Sequence, residues 1–197
     1  MNDKPPSDSR RGRRILIVLA AMFVAPVIAS YLAYYVVEPR GRTNYGTLIE
    51  PQRPTAGLGL ADAQARPARL ADFAGRWLIV AVDEGGCAAR CTQQLALMRQ
   101  LRLATGKDRD RIERLLLVTG DAQPGAEAMA PFEGTVVLRA RAQDLRALLP
   151  VDQGATIFEH LYLVDPLGNL MMRYPGSPDG TRIRKDLERL LRVSQVG

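Results

Sequence analysis

The sequence contains few of the residues from which most metal-binding and catalytic sites are built. Its 197 residues include one histidine, one tryptophan and two cysteines. It has no cluster of zinc-ligand type, no Gly-rich phosphate loop and no Ser/His/Asp grouping with an identifiable nucleophile elbow. Internal repeats and low-complexity tracts are also lacking, and 47% hydrophobic with 24% charged residues is ordinary globular composition. The usual signatures of zinc proteins, nucleotide-binding proteins and serine hydrolases are therefore missing.

A run of single-sign charge is lacking outside the N-terminus. The net charge is +6, and residues 1–14 hold five Lys or Arg against two Asp, so half of the net charge lies in this short tail. In the rest of the chain, cations and acids are interspersed, as over residues 109–114. Such a pattern does not form the basic stripe that follows nucleic-acid phosphates. We therefore expect no nucleic-acid partner.

One long hydrophobic run is present, at residues 15–37. Its 23 residues carry no charge, and at ~1.5 Å per residue they can cross a hydrocarbon core of ~30 Å. We predict a single transmembrane helix here. The basic tail 1–14 then lies in the cytoplasm and the rest of the chain on the periplasmic side of a bacterial inner membrane. A cleaved signal peptide is the alternative, but the run exceeds the ~7–15 apolar residues usual in such peptides.

After the span, the sequence predicts a linker and one domain. Residues 38–69 are rich in Pro, Gly, Arg and Ala and show no sustained period, so we predict a linker. Residues 70–197 have the element order of an α/β domain, with a mixed central sheet flanked by helices, as in thioredoxin-like domains. Strands are predicted at residues 76–83, 114–119, 135–138, 158–164 and 170–174, and helices at residues 88–104, 142–149 and 181–193.

The two cysteines, Cys87 and Cys91, lie where the first predicted strand turns into the first predicted helix. Four residues apart, they share one face of the first helical turn, within reach of a disulfide. The field of a helix N-terminus favours a thiolate, which suits a redox pair or a pair of soft-metal ligands. A small structural disulfide of modest stabilising effect is the alternative. The preceding acids, Asp83 and Glu84, are interpreted as solvated carboxylates.

The Cys87–Cys91 pair after a strand, together with the segment Tyr162–Leu170 late in the chain, resembles the Sco/SenC group of membrane-anchored proteins. The resemblance covers roughly residues 70–193 and the anchor. It implies a thioredoxin-like fold that binds copper through the two cysteines and a distal histidine. It also implies partners among cytochrome c oxidase subunits or other assembly factors, through copper delivery or reduction of cysteines. The implied ligands in this chain are Cys87, Cys91 and His160.

The sequence departs from the Sco/SenC pattern at three places. Ala88 stands where the family usually has Pro, and Ile157 stands where the family has its histidine. His160 is the only histidine in the chain, and in a strand it would face away from the position of Ile157. Residues 154–159 contain no Pro, whereas thioredoxins place a cis-Pro opposite their cysteines. A buried, hydrogen-bonded His160 is therefore the alternative to a metal ligand.

Three hypotheses follow from these observations. The first is a Sco-like protein that assists cytochrome c oxidase assembly by thiol redox chemistry or by handling copper(I) through Cys87 and Cys91. The second is an enzyme, a membrane-tethered thiol-disulfide oxidoreductase in which one cysteine attacks and the other resolves the mixed disulfide. The third is a non-catalytic thioredoxin-like assembly scaffold. Copper binding and disulfide turnover are the measurements that separate them.

Overall fold

The computed structural model describes residues 9–35 and 44–194, and these two stretches belong to two separate compact units. The helices are α1 (Ser9–Tyr35), α2 (Ala89–Ala104), α3 (Ala126–Met129), α4 (Ala142–Leu148) and α5 (Gly180–Val193). The strands are β1 (Thr47–Pro54), β2 (Leu60–Ala61), β3 (Pro67–Ala68), β4 (Trp77–Asp83), β5 (Ile112–Val118), β6 (Thr135–Ala140), β7 (Leu161–Val164) and β8 (Asn169–Tyr174).

The first unit contains the helix α1. Its segment Gly12–Ala33 has a mean hydropathy of 2.5 and is long and apolar enough to cross a membrane. The helix continues through Pro26, which a lipid-embedded helix tolerates. The predicted span therefore agrees with a helix as far as Tyr35. Its last residues 36–37, residues 1–8 of the basic tail and the first part of the predicted linker, 38–43, lie outside the described residues.

The second unit is built on one eight-stranded sheet with the order β1-β8-β7-β4-β5-β6-β2-β3. The strands β4, β5 and β6 are parallel to one another, whereas β7 and β8 form an antiparallel hairpin beside β4. Helices connect the parallel strands because a parallel pair needs a crossover. The mixed sheet with flanking helices agrees with the predicted α/β class.

The central strand β4 is buried on both faces because its side chains alternate between two apolar clusters. One face packs against α2 and α5, and the other against α4. The first set is Trp77, Ile79 and Ala81, and the second is Leu78, Val80 and Val82. The carboxyl end of β4 therefore lies inside the core, and the turn that leads into α2 begins there.

The predicted linker 38–69 is wrong from residue 44 onward. β1 pairs antiparallel with β8, with Leu48 opposite Met172, and β2 joins β6 at the other side of the sheet. β1 is an edge strand with an irregular register between Leu48 and Arg53. Proline is tolerated on edge strands because one side of the backbone needs no partner. The proline content that predicted a linker is therefore compatible with a strand.

The predicted strand 158–164 is shorter in the structure, where β7 begins at Leu161. The residues before it form a turn, because the Glu159 carboxylate accepts hydrogen bonds from the backbone N–H and the hydroxyl of Thr156. The predicted hairpin that follows is confirmed. In its turn, the Asp165 carboxylate accepts the N–H groups of Leu167 and Asn169.

Candidate functional site

Cys87 and Cys91 form a disulfide at the junction of β4 and α2, with their Cα atoms 4.9 Å apart. Both belong to the apolar cluster between the sheet and the helices α2 and α5. Cys87 is 7% exposed and Cys91 is 1% exposed. The structure thus brings together the pair on which the sequence analysis centred, and it makes Cys87 the more accessible of the two.

The backbone at Cys87 has a φ of +44°, in the left-handed region that non-Gly residues rarely adopt. Such a conformation costs about 1–3 kcal/mol and is found most often at functional sites. The turn before it contains Gly85, where a Cβ atom would clash with the carbonyl oxygen of Ala122. A Cβ at Gly120 would likewise clash with the carbonyl oxygen of Glu84. The cysteine turn is therefore packed directly against the loop after β5.

The side chain of Asp83 holds this turn in place. Its Oδ2 accepts hydrogen bonds from the backbone N–H of Gly85, at 2.9 Å, and of Cys87, at 3.0 Å. Its Oδ1 lies 3.6 Å from Nη2 of Arg90, between the cysteines in sequence. Asp83 is only 4% exposed. The interpretation of Asp83 as a solvated carboxylate is therefore wrong, and the acid-x-Gly pattern of an Asx turn is the signal that predicts this role.

The segment before β7 lies against the first turns of α2. Nε2 of Gln94 donates to the carbonyl oxygen of Phe158 at 3.1 Å. The guanidinium of Arg90 lies over the Phe158 ring, 5.5 Å from its centroid, in a cation–π contact. These two contacts connect the cysteine turn with Phe158, a connection that the sequence analysis did not identify. The neighbouring Ile157 is buried in the apolar cluster on the α4 side of the sheet.

His160 is placed differently from the cysteines, since it is 1% exposed and bonded through both ring nitrogens. Nδ1 lies 2.8 Å from the carbonyl oxygen of Tyr174, and the backbone N–H of Asp152 donates to Nε2 at 3.3 Å. In this pattern Nδ1 donates to the Tyr174 carbonyl and Nε2 accepts from the Asp152 N–H. The lone pair of Nε2, which a copper ion would need, is thus directed at the backbone of Asp152.

A copper site made of Cys87, Cys91 and His160 does not assemble in the described part of the chain. Among residues 9–35 and 44–194, no three His, Cys, Asp or Glu side chains group in a way that could hold a metal ion. The cysteines are bonded to each other, and the imidazole is bonded to backbone. The three predicted ligands therefore do not fit a resident copper centre in this state.

Two tyrosines next to His160 are buried in the core. Tyr162 donates its hydroxyl to the carbonyl oxygen of Pro150 at 3.1 Å, and its ring meets that of His160 edge-on. The hydroxyl of Tyr174 is buried with no hydrogen-bond partner among the described residues. Burial raises the pKa of both phenols above the ordinary value near 10. The charge of Asp186 raises the pKa of Tyr174 further.

Comparison with known proteins gives a family and a fold. The sequence matches the family described as "Transmembrane-like, thioredoxin-like, C-terminal domain" over residues 77–194. No curated protein matched the sequence.

Three solved structures are similar to the chain. Apo Sco1 from Thermus thermophilus is 18% identical with a TM-score of 0.56, covering 77% of this chain and 99% of that one. ScoI from Arabidopsis thaliana, solved with copper bound, is 12% identical with a TM-score of 0.52 and covers 76% and 99%. A thiol:disulfide interchange protein from Bacteroides sp. is 16% identical with a TM-score of 0.51 and covers 73% and 91%.

At these identities the solved structures show the fold, and the fold is thioredoxin-like. The predicted fold class is therefore confirmed, with one N-terminal helix of membrane-spanning length and composition before it. The family match spans more than half of the chain, from the first residue of β4 to just beyond α5. The chain belongs to the family of transmembrane-like, thioredoxin-like C-terminal domains.

Proposed function

We propose that this protein is a membrane-anchored, Sco-like assembly factor that exchanges thiols and disulfides with a partner through Cys87 and Cys91. Its domain lies on the periplasmic side of a bacterial inner membrane, and its partners are the copper-binding cysteines of cytochrome c oxidase subunits. The observation that carries the proposal is the disulfide at the end of β4, where Cys87 is held in a left-handed conformation. Strain of this kind is retained where the surrounding structure and the chemistry require it.

The two cysteines take different roles in the proposed reaction because their exposure differs. In the reduced chain, the Cys87 thiolate attacks one sulfur of the partner's disulfide, and the other partner sulfur leaves as a thiolate and takes up a proton. Cys91 then attacks the Cys87 sulfur, which releases the second partner thiol and restores the Cys87–Cys91 bond. Two electrons pass to the partner, and a second dithiol protein reduces the chain again.

Two surrounding residues support the proposed exchange. Asp83 fixes the N–H groups of the turn, so that Cys87 keeps its position when the disulfide opens. Arg90, which is half-exposed, pairs with Asp83 and so stabilises the carboxylate that holds the turn. An oxidising compartment outside the cytoplasm is where such a pair cycles between dithiol and disulfide.

Copper(I) as cargo is the second candidate function. Two thiolates one helical turn apart form a soft donor pair once the disulfide is reduced. Because His160 is bonded to backbone on both sides, this cargo site uses the two cysteines without the imidazole. Transient two-thiolate binding suits transfer of the ion to a partner with more ligands.

The deciding experiment mixes the full-length reduced chain with an oxidised copper-binding domain of an oxidase subunit. Alkylation and mass spectrometry then count the thiols that appear in the partner. We expect two new partner thiols per chain, none with Cys87→Ser and an unchanged number with the matched control His160→Ala. Absence of transfer with the wild-type chain contradicts the redox proposal.

A copper(I) titration against a competing chelator separates the remaining hypotheses. One-to-one binding that is lost in Cys87→Ser and kept in His160→Ala supports copper as cargo. Binding that is lost in His160→Ala contradicts the role described above for that residue. If neither thiol transfer nor copper binding is measured, the domain is a non-catalytic scaffold.

A further inference from the structure

The helix α5 carries four cations along one side. Arg182, Lys185, Arg189 and Arg192 are all exposed. They follow one another at intervals of three, four and three residues, and at 3.6 residues per turn this spacing confines them to a sector of about 80°. We call this surface the cationic side of α5. It extends for about 15 Å, at ~1.5 Å per residue.

The two acids of α5, Asp186 and Glu188, lie outside the sector that the four cations occupy. Asp186 is 3% exposed and its Oδ2 accepts the backbone N–H groups of Tyr45 and Gly46, each at 2.9 Å. Glu188 borders this side, since it lies three residues after Lys185 and four before Arg192, and its Oε1 is 3.5 Å from Nη1 of Arg184. The charges that are interspersed in the sequence are thus separated by the fold. Within the sector of about 80°, the exposed charges of α5 are therefore all positive.

The first described residues of the domain are fastened to the same side of α5. The guanidinium of Arg182 stacks over the Tyr45 ring, 4.1 Å from its centroid. The backbone N–H of Asp179 donates to the Tyr45 hydroxyl at 3.0 Å, and Nη1 of Arg189 donates to Oδ1 of Asn44 at 3.3 Å. The chain therefore enters the domain alongside the cationic side of α5.

A short tether connects this entry point to the predicted membrane span. Only residues 38–43 separate Val37, where the apolar run ends, from Asn44, and they hold Glu38, Arg40 and Arg42, a net charge of +1. Fully extended, this stretch reaches about 25 Å at ~3.6 Å per residue. Basic residues close to a membrane surface are attracted by anionic headgroups within about one Debye length.

We propose that the cationic side of α5 docks on anionic lipid headgroups of the membrane that holds the span. This inference rests on the membrane anchoring in the proposed function and is independent of the thiol chemistry. Charge complementarity and the short tether select a lipid surface over other occupants. Each cation near an anionic surface strengthens docking by about 1 kcal/mol, or roughly fivefold.

The chain offers an internal probe for this contact, because it has only three lysines, Lys4, Lys107 and Lys185. Lys185 lies on the cationic side of α5, and Lys107 is exposed in the 3-10 turn after α2. The experiment places the full-length chain in nanodiscs of neutral phosphatidylcholine or of phosphatidylcholine with phosphatidylglycerol. Amine acetylation rates are then measured at each lysine by mass spectrometry.

We expect Lys185 to be acetylated at least about threefold more slowly in anionic discs than in neutral ones. High salt should remove the difference. Lys107 should react at the same rate in both. Arg192→Gln should lower the ratio of docked to undocked chain about fivefold. The matched control Arg184→Gln, on another side of α5, should leave it unchanged.

Equal acetylation of Lys185 in both kinds of disc overturns the proposal, as does an equal effect of the two Arg variants. Protection that appears only after an acidic protein is added also overturns it. If alkaline carbonate extracts the chain from the discs, the chain is not anchored by a membrane-spanning helix, and both the docking and the anchoring are overturned. Thiol transfer is measured on the same samples, so its loss is distinguished from loss of docking.

Discussion

The cysteine turn and the His160 segment both carry side chains that can bind a metal or react, but the surroundings of these side chains differ. At the turn, Cys87 is in a strained backbone conformation, and its N–H is held by the carboxylate of Asp83. In the other segment, His160 is deeply buried, and each of its ring nitrogens is bonded to backbone. Chemistry needs a group with an unused electron pair, so residue type alone does not identify a site. The hydrogen bonds around each residue distinguish the reactive Cys87 from the structural His160.

The largest difference in reactivity is expected between the two cysteines. Cys91→Ser leaves the more accessible Cys87 thiol, which should form mixed disulfides with a small disulfide reagent. Cys87→Ser leaves the almost fully buried Cys91, which should react at least about tenfold more slowly. Mass spectrometry of quenched time points measures both rates. Faster reaction of Cys91 contradicts the assignment of Cys87 as the attacking residue.

A smaller effect is expected at the carboxylate that holds the turn. Asp83→Ala leaves the buried N–H groups of Gly85 and Cys87 without an acceptor, which should lower the free energy of unfolding by about 2–4 kcal/mol. Asp83→Asn keeps an acceptor oxygen and should lose about half as much. Urea denaturation of the oxidised chain gives both values. An equal loss in the two variants argues that charge, not hydrogen bonding, is what Asp83 contributes.

At His160 we expect loss of stability without loss of chemistry. His160→Ala removes the partners of the Tyr174 carbonyl and the Asp152 N–H, so the free energy of unfolding should fall by about 2 kcal/mol. His160→Asn can still donate to the Tyr174 carbonyl and should recover part of this loss. Thiol transfer, measured in the same preparations, should not change. A stable His160→Ala variant with no thiol transfer would make His160 part of the reactive site.

The smallest effect on the free energy of unfolding is expected at the two buried tyrosines near His160, and it should differ between them. Tyr162→Phe removes a hydrogen bond to Pro150 and should cost about 1 kcal/mol of unfolding free energy. Tyr174→Phe removes a hydroxyl without a partner among the described residues, so it should be neutral or stabilising. Urea denaturation at neutral pH compares the two variants. A larger cost at Tyr174 would show that its hydroxyl is bonded in solution.

The same two tyrosines should lower the stability of the folded chain at alkaline pH. Burial raises the pKa of both phenols in the folded chain above the value near 10 of the unfolded chain. The unfolded chain therefore loses its phenol protons first, and the stabilisation present below pH ~10 is lost as the pH rises beyond it. Tyr174→Phe should make the fall in unfolding free energy above pH ~10 shallower. An unchanged slope contradicts this assignment.

The sequence predicted the elements whose signals are local. Apolar runs identified β4 and β5, and the four-residue spacing of Cys87 and Cys91 placed the two within reach of the disulfide that the structure contains. The edge strand β1 was missed because its prolines are typical of linkers as well as of sheet edges. The cysteines lie four residues apart, whereas β1 pairs with β8, which is distant in sequence, so only the first contact has a local signal.

The rest of the site depends on contacts between distant residues. The partners of His160 are backbone groups of Asp152 and Tyr174, whose approach depends on the register of the β7–β8 hairpin. Along α5, the spacing of the cations is evident from the sequence, but the burial of Asp186 against the N–H groups of Tyr45 and Gly46 is not. Pattern and spacing do not encode such long-range contacts, so only the structure reveals them.

The most direct test of the central claim is the reduction potential of the Cys87–Cys91 pair. The full-length chain is equilibrated with dithiothreitol or glutathione buffers, its thiols are trapped, and the reduced fraction is measured by mass spectrometry. A working redox pair should have a potential above about −300 mV, in the range of thioredoxin-like oxidoreductases, with His160→Ala leaving it unchanged. A potential below about −300 mV, with no thiol transfer to any partner disulfide, would make the pair a structural disulfide and contradict the account.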